Sequence, residues 1–425
     1  MKIALNSYTG YGAWMTLRLL EEGHQVKYFL SEEEYSNILK GICPKPTIIS
    51  GKLKELPDYS KFDVSIFDLT GKEKQADISS IGCPTIGDGS LNKRLEEDRL
   101  YGIEIMEMAG INVPEYKTFT DTSAAKAYIA ETKKRYVYKP NGGQGQDTAT
   151  TYVSEDSDDM LEYIDELFSK SKGSPFLLQE FISGIEVSIE GWFNGSDFYL
   201  VNFTLEEKKF MNKNKGPNTG CAGNLVGIFN NQEPKIFKEG LKKAADVLAI
   251  LGYRGMIDLN TIVTEDKAYG LEWTPRFGYD ASAAFIQCYN GNFGQMLCDI
   301  ASGKAPEQSF RAEYCAGVRL SIPPYPSEIK NKHPEGVPIS GLELEPEELL
   351  STFMYDVQVQ NKKLVSAGHS GLLLVPMGVG SVPADAFASM QSKVDNIKIP
   401  DVQIRTDIEE SVMKRYNQLV EWNWI

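Results

Sequence analysis

Two runs of alternating polar and apolar residues, separated by a short polar stretch, most constrain the fold of this chain. The runs are residues 256–263 and 271–278, and residues 264–268 join them. Successive side chains of an extended strand point to opposite faces. Glu272, Thr274 and Arg276 would therefore share one face of the second run, with Trp273 and Phe277 on the other. The pattern predicts an antiparallel hairpin with one charged face.

A hairpin centred on Glu265 would place Asp258 directly opposite Glu272. Two like charges in this arrangement destabilise a sheet unless a cation lies between them. Carboxylate oxygens bind Mg²⁺, and the planar guanidinium of Arg276 fits phosphate oxygens. The alternation alone is equally typical of an edge strand with a solvated charged face. The opposed carboxylates favour a site where a metal ion and phosphate meet.

Composition narrows the class of protein. The chain has 425 residues, more than one core usually supports, so we expect roughly two to four domains. Its formal charge of −15 argues against a nucleic-acid or anionic-membrane surface as the main partner. The six cysteines and three histidines show no zinc or disulfide spacing, and there is no long apolar segment. We therefore expect a reduced, cytoplasmic protein with no stable nucleic-acid partner and no membrane contact.

A glycine-containing turn lies close to the start of the sequence. An apolar strand at residues 1–7 runs into a turn with Gly10 and Gly12, and an amphipathic helix follows that ends near Gly23. With a second strand at 25–30 these segments predict a βαβ unit, and strands at 64–69 and 84–86 complete a small α/β domain. Because helix N-termini bind anions, a phosphate or substrate could rest on this turn.

A second glycine-rich segment follows a short strand. We predict a helix at residues 92–109, a strand at 136–140, a loop at 141–148 and a strand at 149–153. The loop contains Gly142, Gly143 and Gly145, which let a backbone fold closely over phosphates, and Lys139 supplies a positive charge at the strand end. The alternative interpretation is a mobile hairpin loop.

Two further segments carry charge without a specific motif. After a helix at 158–170, an apolar strand at 176–182 ends in Glu180-Phe181-Ile182, whose backbone groups could pair with a purine edge. Glu186 lies just past the following turn, where a carboxylate could hold ribose hydroxyls. Residues 206–220 are charged in their first half and bounded by glycine in their second, which predicts a long polar loop.

The order of these segments resembles glycinamide ribonucleotide synthetase, the phosphoribosylamine–glycine ligase branch of the ATP-grasp superfamily. The resemblance is carried by Leu-Gln-Glu-Phe-Ile-x-Gly-x-Glu-x-Ser at 178–188, Gly-Pro-Asn-Thr-Gly at 216–220 and Leu-Glu-x-x-x-Arg-Phe-Gly at 271–278. It continues through Tyr-Pro-Ser at 325–327, Ile-Ser-Gly-Leu-Glu at 339–343 and Arg-Thr-Asp-Ile at 405–408, and so spans nearly the whole chain.

The resemblance implies an α/β ATP-grasp fold in three parts. These are an N-terminal Rossmann-like domain at 1–91, the ATP-grasp domain at 92–310 with a mobile lid at about 119–178, and a C-terminal α+β domain at 311–425. It also implies ATP with Mg²⁺ or Mn²⁺ as cofactors, a small carboxylate and an amine as substrates, and a monomer or homodimer.

The same resemblance implies roles for individual residues. Nucleotide contacts are implied for Arg99, Lys139, Gly142, Gly143, Gly145, Glu180, Phe181, Ile182, Glu186 and Lys208. Metal ligation is implied for Glu272 and Thr274, to which the hairpin argument adds Asp258, and catalytic roles are implied for Arg276, Lys139 and Asn218. Such a site activates a carboxylate as an acyl phosphate, which an amine then attacks, and it needs neither histidine nor cysteine.

The chain departs from the family pattern at substrate positions. Thr274 stands where the family has an asparagine ligand, residues 278–281 replace Gly-Asp-Pro-Glu, and residues 9–14 replace the turn that serves the phosphoribosyl substrate. Three hypotheses therefore stay open. The chain joins glycine to phosphoribosylamine, or joins an amino acid to another amine such as a modified nucleotide or small metabolite, or binds ATP without catalysis.

Overall fold

The computed structural model describes residues 1–49, 57–68, 82–87, 89–141, 151–230, 232–327 and 333–425, without the side chain of Tyr279. The predicted loop with Gly142, Gly143 and Gly145 lies outside these residues, as does the start of the predicted strand at 149–153. In the ranges that are described, no helix is long and apolar enough to cross a membrane.

The chain begins with a five-stranded parallel sheet of order β3-β2-β1-β4-β5. Its strands are β1 (Lys2–Ser7), β2 (Gln25–Leu30), β3 (Thr47–Ile48), β4 (Val64–Phe67) and β5 (Thr85–Ile86). A helical turn at Tyr11–Trp14 and helix α1 (Met15–Glu21) connect β1 to β2. The predicted βαβ unit is confirmed, because β1 and β2 pair in parallel with this helix between them.

Two helices, rather than the single one predicted at 92–109, follow the first sheet. They are α2 (Ser90–Glu97) and α3 (Arg99–Met108). Asp98 has an extended conformation between them, and its Oδ1 accepts a hydrogen bond from the Tyr101 N–H at 3.2 Å. An aspartate in this position caps a new helix. The prediction of one helix was wrong because the capping side chain favours a break.

The segment predicted as a mobile lid contains a small four-stranded antiparallel sheet of order β6-β9-β7-β8, and we keep the name lid for this segment. Its elements are β6 (Tyr116–Phe119), α4 (Thr122–Thr132), β7 (Tyr136–Pro140), β8 (Tyr152–Val153), α5 (Ser157–Lys170) and β9 (Phe176–Glu180). The rings of Phe119, Tyr138 and Phe176 form its core, with Phe176 at 5.7 and 4.7 Å from the other two. This unit has its own hydrophobic cluster.

A nine-stranded sheet forms the centre of the molecule. Its first strands are β10 (Ile185–Phe193), β11 (Phe198–Met211), β12 (Lys215–Ile228), β13 (Gly255–Val263) and β14 (Ala268–Thr274), with α6 (Lys235–Glu239), α7 (Ala245–Ile250), α8 (Tyr279–Cys288) and α9 (Phe293–Ala301). The C-terminal elements are β15 (Tyr314–Val318), β16 (Leu320–Ser321), β17 (Pro338–Ile339), α10 (Pro346–Leu350), β18 (Thr352–Met354), β19 (Val357–Gln360), β20 (Lys363–Ser366), β21 (Leu372–Gly380), α11 (Pro383–Asn396) and α12 (Ile408–Glu421). The strand order β14-β13-β10-β11-β12-β15-β21-β16, with β18 also on β21, carries this sheet across residue 310 without interruption. A separate small sheet has the order β17-β20-β19.

The charged segment at 206–220 is a β-hairpin and not the predicted polar loop. It belongs to β11 and β12, which are joined by a short helical turn at Asn212–Asn214. Glu207 is only 4% exposed, and its carboxylate is paired with Arg405 at 3.1 Å and with Arg415 at 2.5 Å. The prediction was wrong because cations about 200 residues away in the chain neutralise this charge.

The hairpin of β13 and β14 has a different register from the predicted one. Asp258 lies opposite Thr274, and Glu272 lies opposite Asn260. The turn contains four residues, Thr264 to Lys267, with the Thr264 N–H donating to the Lys267 carbonyl at 2.8 Å, and a bulge follows between Asn260 and Thr261. The predicted pairing of Asp258 with Glu272 was wrong, because the turn is one residue longer than a hairpin centred on Glu265 would have and because a bulge follows it; each of these shifts the register by one residue.

Candidate active site

The central sheet has a row of polar residues on one face. In β10 the side chains of Val187 and Ile189 pack into a hydrophobic cluster, so Glu186, Ser188 and Glu190 point to the opposite side. The residues directly across from Ser188 and Glu190 on the two neighbouring strands are also polar, namely Asn202, Thr204, Asp258 and Asn260. Burying a row of polar side chains costs folding free energy unless the side chains form hydrogen bonds or bind a ligand.

Five charged side chains from five elements meet beside this polar face. They are Arg99 on α3, Lys139 on β7, Glu186 on β10, Lys208 on β11 and Glu272 on β14. We call them the charge cluster. All were predicted as site residues from widely separated segments, and the fold brings them together. Three cations against two carboxylates leave an excess of positive charge, which favours an anion.

Arg99 holds the two sides of the charge cluster together. It is the first residue of α3, so the break at Asp98 fixes its position. Its Nε donates to the carbonyl of Pro140 at 3.1 Å, and its Nη1 lies 3.4 Å from Glu272 Oε2. The guanidinium therefore connects the end of lid strand β7 to strand β14 of the central sheet.

Burial and charge shift the ionisation of two members of the charge cluster in ways that suit phosphate. Burial lowers the pKa of Lys139 to about 8, an effect that Glu272 opposes and Arg99 reinforces. Burial alone would disfavour the Glu272 carboxylate, but the charges of Arg99, Lys139 and Lys208 outweigh it and lower its pKa. Both side chains are therefore mostly ionised at neutral pH, and Lys139 would gain from a new anionic neighbour.

Glu186 lies where two polar partners fix its carboxylate. Its Oε1 accepts hydrogen bonds from Lys208 Nζ at 2.5 Å and from Asn260 Nδ2 at 2.9 Å. Burial works against ionisation, but Lys208 and Asn260 overcome it and lower the pKa of Glu186. Asn260 was not predicted as a site residue, although its alternation with Asp258 in the sequence was the signal that could have found it.

Asp258 is in a more acidic environment than the sequence indicated. It lies opposite Glu190 on one side and Thr274 on the other, and it is 9% exposed. Burial, together with the neighbouring charges of Glu190 and Glu206, raises its pKa well above the usual value. Glu190 is held by Thr204 and Asn202 at 2.6 and 3.1 Å. The sequence analysis missed Glu190 and Glu206.

The pKa of Glu206 gives a test of this acidic environment. Burial is the main cause that raises this pKa to about 7, with Asp280 and Glu190 adding to it and Lys208 opposing it. A carboxyl group with a raised pKa in the folded state favours the protonated form, so stability decreases as pH rises from about 4.3 towards 7. We expect Glu206→Gln to raise the free energy of unfolding at pH 8 by on the order of 2 kcal/mol, with little change at pH 4.5.

Urea unfolding at the two pH values would measure this effect. The matched control is Glu207→Gln, on the other face of the same strand, which removes the ion pairs to Arg405 and Arg415 and should lower stability at pH 8. An equal loss of stability from both substitutions at pH 8 would show that Glu206 is stabilised as a carboxylate.

The two remaining predicted catalytic residues have other surroundings. Arg276 lies two residues beyond the end of β14, and its Nε donates to Glu96 Oε1 on α2 at 2.8 Å. Asn218 is exposed on β12, opposite Lys209, in the outer part of the hairpin. Neither residue therefore belongs to the charge cluster itself.

The segment predicted to face a purine lies at the end of lid strand β9. The Glu180 N–H donates to the Glu115 carbonyl at 2.8 Å, and the Phe181 N–H donates to the Arg135 carbonyl at 3.0 Å. The Arg135 guanidinium lies 3.6 Å from the centre of the Phe181 ring. Both backbone amides therefore already donate hydrogen bonds within the protein, and the Ile182 N–H is the next backbone group that could donate to a base.

Two further polar features of this region were missed by the sequence analysis. Asn224 lies opposite Glu206 on β12, is fully buried, and its side-chain amide has no hydrogen-bond partner among the described residues. Asp280, in the first turn of α8, accepts two hydrogen bonds from Arg319 at 2.7 and 3.0 Å and one from Tyr355 Oη at 2.5 Å. Arg319 and Tyr355 belong to the C-terminal part of the chain, so only the fold could reveal this group.

The acidic residues alone do not form a metal-binding cluster. Across the described parts of the chain, no group of three or more His, Cys, Asp or Glu side chains is arranged to hold a metal ion. Mg²⁺ in nucleotide sites is usually held by one or two carboxylates together with substrate phosphates and water. Glu272, beside the cations of the charge cluster, fits that kind of shared site.

Comparison with known proteins identifies the family that this arrangement resembles. Residues 97–282 match the family model of the ATP-grasp (A) domain of phosphoribosylglycinamide synthetase. A phosphoribosylamine–glycine ligase of Streptococcus pneumoniae strain R6 is 25% identical over 438 residues, which cover 97% of this chain and 100% of the relative. The similarity therefore extends through both flanking parts of the sequence.

Solved structures agree on the fold. The phosphoribosylamine–glycine ligase of Thermotoga maritima aligns with a TM-score of 0.75 at 19% identity, over 96% of this chain and 100% of that one. A biotin carboxylase–ATP complex from Campylobacter jejuni aligns with a TM-score of 0.67 at 15% identity, over 98% of this chain and 96% of that one. The predicted ATP-grasp fold is confirmed.

Proposed function

We propose that this chain, a member of the ATP-grasp superfamily similar to phosphoribosylamine–glycine ligase, is an ATP-dependent ligase that joins a small carboxylate to an amine. The observation that carries the proposal is the charge cluster, in which three cations and two carboxylates from five elements meet between the lid and the central sheet. A site for a polyphosphate with a metal ion requires this mixture of charges.

In this proposal each member of the charge cluster has a role toward ATP. Lys139 and Arg99 bind the phosphates, since Arg99 already links β7 to β14 and Lys139 is buried beside it. Glu186, held by Lys208, accepts hydrogen bonds from ribose hydroxyls. Ile182 offers a backbone amide to the base. The segment with Gly142, Gly143 and Gly145 stays a prediction as the cover over the phosphates.

Glu272 would hold Mg²⁺ or Mn²⁺ with the phosphates, and Thr274 and Asp258 are the neighbouring oxygen donors. When bound, the ion would neutralise charge on the transferring phosphoryl group. The raised pKa of Asp258, caused first by burial and then by Glu190 and Glu206, means that a nearby cation would also favour its ionised form. Arg276 and Asn218 are the proposed catalytic residues beyond the cluster.

The chemistry that this geometry supports is phosphorylation of a carboxylate followed by attack of an amine on the acyl phosphate. Both steps depend mainly on positioning and on neutralising charge, which the cluster supplies. Glycine and phosphoribosylamine are the first pair to test, because they are named in the relatives. The buried side-chain amide of Asn224, opposite Glu206, has no hydrogen-bond partner in the described part of the chain and could orient a substrate on the polar face.

An ADP-release screen with mass detection of the product tests the proposal. Purified protein would be incubated with ATP, Mg²⁺, single amino acids and single amines, and the product of any active pair would be identified by mass spectrometry. We expect ADP release that requires both substrates and a product equal to their condensation. Binding of ATP without ADP release from any pair would instead support a catalytically silent ATP-binding protein.

A further inference from the structure

A cavity lies where helix α1 of the N-terminal part meets helix α8 and the C-terminal elements α10, β18, β21 and α11. Its volume is about 650 Å³, a size typical of small-molecule sites. Among the described residues that line it there is no member of the charge cluster and none of the polar row on β10, β11 and β13. The cavity is therefore separate from the proposed ligase site.

Two cations of the lining are held in place by neutral acceptors. Arg311 donates from Nε and Nη2 to the main-chain carbonyl and the side-chain Oε1 of Gln287, at 2.6 and 3.1 Å, and Gln287 is only 5% exposed. Lys393 Nζ donates to the carbonyls of Met377 and Ser351 at 2.6 and 3.4 Å. Neither cation forms an ion pair with a carboxylate of the described residues. Both charges are thus preorganised for an anion from outside the chain.

The two cations also lie close enough to affect each other. Burial is the main cause that lowers the pKa of Lys393, and the charge of Arg311 lowers it further, against the opposing effects of Cys315 and Glu348. An anion placed between the ammonium and guanidinium groups would relieve this repulsion and accept charge-assisted hydrogen bonds from both.

Negative charge in the lining comes from helix α10. Glu347 and Glu348 lie in its first turn, both are exposed, and neither forms an ion pair in the described part of the chain. A third cation of the lining, Arg18, is already neutralised by Glu22, with 2.6 Å between Nε and Oε1. Two cations and two carboxylates therefore share the cavity without pairing. A dianion would be attracted by the cations and repelled by the carboxylates, whereas a zwitterion would satisfy both.

Most of the remaining lining is apolar. The apolar side chains are those of Ile286, Leu342, Leu350, Met377, Val379 and Ile397. A ligand that placed an apolar group against them would remove that group from water, which favours binding. The cavity thus combines an apolar wall with separated charges of both signs.

We propose that this cavity binds a free amino acid with a large apolar side chain. Its carboxylate would lie between Arg311 and Lys393, and its ammonium group would face Glu347 and Glu348. Its side chain would lie against the apolar wall that includes Leu342. The inference goes beyond the proposed ligase function and does not depend on it, because no residue of the charge cluster lines the cavity.

Methyl NMR spectra of the full chain, recorded without ATP, test this inference at the site itself. Leucine methyl groups would be labelled with ¹³C, and the Leu342 signals would be identified with Leu342→Ile. We expect L-phenylalanine to shift these signals. Each of 3-phenylpropionate and phenethylamine lacks one charge of phenylalanine, and both should bind at least about tenfold more weakly. Phenyl phosphate, a dianion with the same ring, should also bind more weakly than phenylalanine.

A double substitution tests the role of the carboxylates. Glu347→Gln combined with Glu348→Gln keeps the size of two exposed side chains and removes their charge, so the protein should stay folded. The double variant should bind phenylalanine at least about tenfold more weakly than the unaltered chain does and should no longer prefer it to 3-phenylpropionate.

Lys393→Met tests the carboxylate end of the ligand. It should weaken binding of phenylalanine and of 3-phenylpropionate by a similar factor of about ten, because both probes carry the carboxylate. The matched control is Lys398→Met, where the lysine donates to the Asp395 carbonyl outside the lining, and it should leave both affinities unchanged.

The inference would be overturned if phenylalanine left the Leu342 signals unmoved, or if any of the three analogues bound as tightly as phenylalanine. It would also be overturned if the variant without the two glutamates kept its preference for phenylalanine. A failure of the ligase function, seen as ATP binding without ADP release, would not alter these measurements, since they are made without ATP.

Discussion

Replacing Glu272 with glutamine should lower the rate of ADP release by about two to three orders of magnitude, the size of one lost electrostatic contact in a transition state. The amide is a poorer ligand for a hard cation, and it no longer attracts Arg99, whose Nη1 lies 3.4 Å from Glu272 Oε2. The Glu272 side chain is 37% exposed, so the ion pair contributes little to stability and the protein should stay folded.

The measurement is turnover across a Mg²⁺ titration, with circular dichroism to confirm the fold. The chain offers a chemically identical control in Glu265→Gln, at the exposed tip of the same hairpin, which should have no effect on turnover. If Glu272→Gln kept full activity at limiting Mg²⁺, the carboxylate would not belong to the metal and phosphate site.

Replacing Lys139 with methionine should weaken ATP binding by about 10- to 100-fold, as expected for one charge-assisted hydrogen bond. Burial lowers the pKa of Lys139 to about 8 in the free protein. Phosphates would favour the charged form, so ATP binding takes up a proton near pH 8, and affinity should fall as pH rises through that value. Lys139→Met should remove this pH dependence together with the affinity.

Isothermal titration calorimetry at pH 8 in two buffers of different ionisation enthalpy would count the protons taken up. The control is Lys126→Met on lid helix α4, where the lysine is exposed and paired with Asp165. It should leave both affinity and proton uptake unchanged. Proton uptake that persists in Lys139→Met would assign the linkage to another group.

Local patterns predicted the strands of the site but not their register. The alternation at 256–263 and 271–278 correctly indicated β13 and β14, because each has one face in a hydrophobic core. The predicted pairing of Asp258 with Glu272 failed, since one additional turn residue and a bulge at Asn260 are not visible in side-chain alternation. A hairpin register depends on backbone geometry that many sequences share.

Long-range charge pairing accounts for two other failures. The charged run at 206–220 is typical of a loop when it is considered alone. In the structure Arg405 and Arg415 form ion pairs with Glu207, which allows the run to form a buried strand. Asp280 was likewise missed because its hydrogen-bond partners, Arg319 and Tyr355, belong to the C-terminal part of the chain. The family resemblance indicated Glu186 and Glu272 because they lie in short motifs, whereas pairs formed between distant segments leave no local pattern.

The uninterrupted central sheet bears on how the chain could be divided or recombined. Strand β12 pairs with β15 over five positions, from Gly223–Val318 to Gly227–Tyr314, so a chain ended near residue 310 would expose β12 as a bare edge. Such an edge invites pairing with other chains and aggregation. Grafting another C-terminal segment would therefore require matching this register. Any chimaera of this chain should therefore keep everything from β10 to α12 together.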